Sequence, residues 1–104
     1  MTPEQLQATL IRAMPEKELQ AHVIDLAEAL GWRWYHVHDS RRSPSGFPDL
    51  CMCRSARLIF AELKAEWGRT RPDQVHWLNA LREAGAETYI WRPSDIPTIQ
   101  EILA

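Results

Sequence analysis

Gly46-Phe47-Pro48-Asp49-Leu50, and further on Glu62-Leu63-Lys64, are the stretches whose reading decides the fold. Between them lie two apolar runs, Cys51-Met52-Cys53 and Leu58-Ile59-Phe60-Ala61, separated by Arg54-Ser55-Ala56-Arg57. Short apolar runs on either side of a polar step predict a β-hairpin. With Ser55-Ala56 as a two-residue loop, Arg54 pairs with Arg57, and counting outward sets Asp49 opposite Glu62. Ser-Ala is a weak turn signal, so this register rests on the assumed loop length. Paired side chains on one face of such a ladder stand about 4.5–5.5 Å apart. Two carboxylates that close repel unless a cation lies between them. Lys64, two residues beyond Glu62, points to the same face, whereas Leu63 points into a core. Two acids and an amine on one ridge suit a divalent metal and a phosphodiester.

Asp49, Glu62 and Lys64 match the signature of the PD-(D/E)xK nucleases, and Gly46-Phe47-Pro48-Asp49-Leu50 resembles the VRR-NUC family within that superfamily. Three further features are similar. A helical stretch Glu16-Lys17-Glu18-Leu19-Gln20 precedes Gly31-Trp32, Gln74 opens a helix after the Glu-Leu-Lys strand, and the chain closes with a strand and a short helix. The resemblance covers roughly residues 16 to 92. It implies an α/β fold with a restriction-endonuclease-like core, a mixed four-stranded sheet flanked by helices. It also implies metal-dependent hydrolysis of DNA. Asp49 and Glu62, with the main-chain carbonyl of Leu63, would hold Mg²⁺ or Mn²⁺ through hard oxygen donors. Lys64 would position or deprotonate the attacking water, or offset charge on the phosphorus centre. Glu16, with Glu18 as the competing choice, would be the first-helix acid that orients a water or second metal. Gln74 would hydrogen-bond the water or a phosphate. One metal or two stays open. Stand-alone domains of this kind resemble junction resolvases, so the expected partner is branched DNA and the expected assembly a homodimer.

With 104 residues, the chain is read as one domain, 1–104, with a modest core. Apolar residues make up 45%, yet no stretch approaches the length of a membrane span, and no signal peptide is visible. Cys51 and Cys53 sit two apart on a predicted strand, a poor disulfide spacing. They are read as reduced core thiols, consistent with a cytoplasmic setting. A zinc site would need more ligands at suitable spacing.

The formal net charge of -2 hides an asymmetry. Residues 41 to 71 carry Arg41, Arg42, Arg54, Arg57, Lys64, Arg69 and Arg71 against Asp49, Glu62 and Glu66. Positive charge around an acidic site is what phosphate binding requires, and about half of these arginines are expected on the nucleic-acid backbone. Arg41, Arg42, Arg69 and Arg71, in the two loops beside the acids, are the candidates.

Taken in order, Thr2-Pro3-Glu4 predicts a helix start, with Leu6, Leu10 and Ile11 on one side and Met14-Pro15 as its end. Leu19, His22, Val23, Leu26, Ala27 and Leu30 recur at helical spacing up to Gly31. Trp32 to His38 reads as a strand. Its His36 and His38 share a face, which fits a structural or DNA-facing pair better than a metal site. Asp39 to Gly46 reads as a basic loop leading into Asp49. Ala65 to Pro72 is a second basic loop. A helix then runs from Pro72 towards Gly85, with Trp77 either core or interface. Glu87 to Trp91 is the last strand, followed by a short helix to Leu103. No Gly-rich phosphate cradle occurs, so no nucleotide cofactor is expected. Two readings from other classes remain, a catalytically silent nucleic-acid-binding module and a phage or plasmid accessory interaction protein.

Overall fold

Thr2 caps the first helix, α1 (Pro3–Arg12): its hydroxyl accepts from Gln5 N–H, and the Gln5 side chain accepts from Thr2 N–H. This reciprocal pair satisfies two helix-end donors, which is why the chain turns helical there. α1 buries no residue, and its apolar side stays open, with Leu6 49% and Leu10 64% exposed. α2 (Glu16–Ala29) follows Pro15 and buries Leu19, Val23 and Ala27 at four-residue spacing. His22, counted in its apolar pattern, is exposed, on the side of the helix away from the buried Leu19–Val23–Ala27 stripe. The computed structural model describes residues 1–37, 42 and 44–104.

The sheet holds β1 (Arg33–His36), β2 (Leu50–Arg54), β3 (Arg57–Leu63) and β4 (Glu87–Trp91), side by side in that order. β1, β2 and β3 run antiparallel to their neighbours, whereas β4 joins β3 in parallel, so the sheet is mixed. A parallel partner needs a crossover, and α3 (Pro72–Glu83) supplies it. A 3₁₀ turn, Pro93–Asp95, leads into α4 (Ile96–Leu103).

Arg54 does pair with Arg57 around a two-residue loop, and Leu50 pairs with Ala61. Ser55 adopts a left-handed φ of 55°, the conformation such tight hairpin turns demand at a central residue. Alternation along the strands then divides the sheet. Leu50, Met52, Ile59, Ala61, Leu63 and Trp91 point to one face and form the main core with α2 and α4. Cys51, Phe60 and Glu62 lie on the opposite side, the one α3 partly covers. Cys51 is half-buried and Cys53 exposed, so the expected core thiols are corrected: the strand's apolar payload is Leu50 and Met52. β1 is shorter than the expected strand, and His38 falls outside the described residues. Trp77 is half-buried, edge-on to Phe47 at 5.1 Å between ring centroids.

Arg54 and Arg57, counted earlier among the charges near the acids, belong to the far end of the hairpin. Arg54 donates to the carbonyls of Leu30, Leu103 and Ala104. Arg57 forms a two-point pair with Glu87 and donates to Ile102 O. Their guanidinium carbons lie 4.6 and 5.1 Å from the Trp32 ring centroid. Carbonyls at a helix C-terminus lack internal partners and carry partial negative charge, so these two arginines tie α4 to the sheet.

Candidate metal and nuclease site

At the end of the hairpin opposite that turn, the ladder that pairs Leu50 with Ala61 brings Asp49 beside Glu62. The Asp49 Oδ2 atom accepts from Leu63 N–H at 2.8 Å, which fixes the carboxylate against β3. Glu62 is 2% exposed and Lys64 8% exposed, both unusual for charged residues. Lys64 N–H donates to Trp91 O at 3.0 Å, so the parallel pairing with β4 extends to the lysine backbone.

Glu62 Oε2 is buried without a hydrogen-bond partner. Burial raises the Glu62 pKa most, and hydrogen bonding and repulsion from Asp49 add to it, against the opposing charge of Lys64. The carboxyl is pushed up to about 9. Glu16 also adds to this rise through its charge, whereas Glu18 does not figure among its causes. The structure thus brings together Asp49, Glu62 and Lys64, with Glu16 within electrostatic reach at the exposed start of α2.

Among the described residues, no group of three or more His, Cys, Asp or Glu side chains is spaced to hold a metal ion. The donor set that does exist is the Asp49–Glu62 carboxylate pair. A buried carboxylate oxygen lacking any donor, next to a second carboxylate, has the chemistry a hard cation would satisfy. The residues present therefore fit a divalent ion.

The start of α3 packs against the loop that leads into Asp49. Its Gln74 is 5% exposed, and Gln74 Oε1 accepts from Arg71 N–H at 2.9 Å, so the side chain caps its own helix. Sequence spacing placed Gln74 in the first turn but gave no sign of this capping role. Asp73 takes the hydroxyl of Ser45 and pairs with Arg71 at 3.2 Å. Its pKa is lowered, chiefly by the Ser45 hydrogen bond and then by Arg71. Ser45 and Asp73 were not singled out from the sequence, because a serine in a loop and an acid in a first helical turn carry no signal of their own.

Gly46 explains the first letter of the motif. Its φ is +90°, and a Cβ there would stand 2.6 Å from Asp73 C and 2.7 Å from Asp73 O. Only glycine lets the loop before Asp49 lie against the α3 backbone. Gly46→Ala is expected to destabilise the fold by about 2–4 kcal/mol, from the left-handed backbone and the clash together. Urea unfolding of the two proteins measures this, and an unchanged midpoint would contradict the close approach.

Of the four candidate arginines, Arg42, Arg69 and Arg71 are exposed in the loops near the acids, and Arg41 lies outside the described residues. Trp34 and His36 stack at 5.9 Å on one face of β1.

A mixed sheet between helices, with acids and a lysine converging where the antiparallel hairpin meets its parallel neighbour, defines a nuclease-type domain. The family model for the VRR-NUC domain matches residues 1–94. A solved structure described as a VRR-NUC domain superposes with a TM-score of 0.70 at 24% identity, covering 83% of this chain and 94% of that one. A search of curated proteins returned no match. The chain belongs to the VRR-NUC family.

Proposed function

We propose that the chain is a divalent-metal-dependent endonuclease that hydrolyses DNA phosphodiester bonds, selecting branched DNA. The observation that carries this reading is the buried, partnerless oxygen of Glu62 beside Asp49, with Lys64 on the same ridge. Asp49 and Glu62, together with the Leu63 carbonyl, would hold Mg²⁺ or Mn²⁺. When bound, such an ion supplies positive charge to the scissile phosphate and acidifies the attacking water.

The protein's own groups do the rest. The Leu63 N–H holds the Asp49 carboxylate in one orientation. Lys64, held by β3 on one side and the β4 hydrogen bond on the other, orients the attacking water and offsets charge on the phosphate. Gln74, pinned through its oxygen, donates from its amide nitrogen to water or phosphate. Glu16 orients a water at the solvent side. Arg41, Arg42, Arg69 and Arg71 neutralise backbone phosphates, so binding weakens with salt. We assign the active form to a homodimer, which suits symmetric cuts at a junction, and the setting to the cytoplasm, which suits two free thiols.

The test is cleavage of a four-way junction, a flap and a linear duplex by the purified protein with Mg²⁺, Mn²⁺ or EDTA. Metal-dependent cutting of the branched substrates before the duplex is expected. Tight binding without cutting in any metal would instead identify a silent binding module.

A further inference from the structure

Between Lys64 and the capped start of α3, the chain makes a tight turn. Gly68 N–H donates to Ala65 O at 3.0 Å, which places Trp67 at the turn's third position. A Cβ on Gly68 would stand only 3.6 Å from Lys64 Cβ, so the turn lies directly against the lysine's stem. At its tip the Trp67 indole is 82% exposed, the most open of the large apolar side chains after Met1.

The turn is braced on both sides of that residue. Arg92 donates to Glu66 O at 3.1 Å and to Gly68 O at 2.7 Å. The Glu66 carboxylate in turn accepts from Ser94 N–H at 3.0 Å and Ser94 Oγ at 2.7 Å. These bonds run to the segment after β4 and fix the backbone flanking Trp67, while the indole itself faces water. Leaving so large an apolar surface wet forgoes about 2 kcal/mol of burial. A tryptophan in a floppy loop carries little information. One held rigidly open, beside a buried lysine and two residues ahead of exposed Arg69, is a prepared flat surface next to positive charge.

We infer that Trp67 stacks on an unpaired base of the nucleic acid next to the phosphate approached by Lys64, and so selects substrates carrying a single-stranded arm. The inference rests on the proposed nuclease reading and narrows its substrate to DNA with an unstacked base near the cut. Base–aromatic stacking tolerates any sequence, because every base presents a π-face. The bracing matters energetically, since an indole already fixed loses little freedom on binding.

The test measures binding with Ca²⁺ present, using a fluorescently labelled flap and a fully paired hairpin, by anisotropy. Trp67→Ala is expected to weaken flap binding by about 5- to 150-fold, the range that stacking of one base spans. Its preference for the flap over the paired hairpin falls accordingly. Trp67→Phe, which keeps a π-face, is expected to retain most of that preference. Flap binding that is equally tight in Trp67→Ala overturns the inference. So does a loss of affinity shared equally by both DNAs, or a fall in assembly mass by sedimentation, which would assign the indole to self-association. Cleavage is read separately. A wild-type protein that binds the flap through Trp67 but cuts nothing would refute the nuclease reading and leave the stacking intact.

Discussion

Asp49→Asn and Lys64→Ala are each expected to reduce cleavage by about 10³-fold, while circular dichroism stays that of the parent protein. The size follows from what each change removes. Asn at position 49 keeps the shape but loses the formal charge next to Glu62, which in the proposed mechanism removes a ligand of the hard cation. Loss of one fixed electrostatic group at a reacting centre costs about 10²–10³ in rate, and loss of the cation costs more. Lys64→Ala removes the amine on the same ridge without touching the strand's hydrogen bond to Trp91 O, which is main-chain. The secondary structure therefore survives both. Single-turnover cleavage of a flap substrate supplies the measurement. Persistence of cutting in both variants would move the active site elsewhere.

The second large effect concerns stability without metal. Burial first, and then the neighbouring Asp49, push the Glu62 carboxyl up to about 9 in the folded chain, from the ordinary 4.5. The folded state therefore holds a proton that the unfolded state releases. The associated stability is fully present below pH 4.5 and is lost as pH rises towards 9, by about 1.4 kcal/mol per pH unit for one proton. In EDTA, the denaturation midpoint is expected to fall between pH 6 and pH 8.5. Glu62→Gln, which keeps the shape and has no proton to lose, flattens that slope and is the more stable protein at pH 8. Mg²⁺ or Mn²⁺ restores the wild-type at pH 8 but not the variant, because the cation takes the proton's place. A slope identical in wild-type and variant would mean that Glu62 is not the group being titrated.

The elements that could be read from the sequence share one property: their signals are local. Pro3 after Thr2, the Leu19–Val23–Ala27 spacing and Gly31 marked the helices, and the apolar runs around Ser55-Ala56 gave the hairpin its register. Asp49 opposite Glu62 followed from counting. What could not be read depends on contacts distant along the chain. Arg54 and Arg57 were counted in the positive charge around the acids because charge carries no direction in a sequence. Only the position of α4 turned them into its anchors. The bond between Ser45 and Asp73 and the close approach at Gly46 require α3 to be in place first. The burial of Gln74, and the bracing of Trp67 by Arg92, likewise come from the crossover that sets β4 beside β3. Cys53 was misjudged because a strand's apolar residues need not all face the filled side.

The two acids are held in place from different parts of the chain. Asp49 and Glu62 are brought together through a short hairpin, whereas the loop just before Asp49 is seated on the first turn of α3. Loosening that seat would free the loop while the Leu63 N–H still tethers the Asp49 carboxylate. The spacing of the two acids is thus adjusted from outside the hairpin that pairs them.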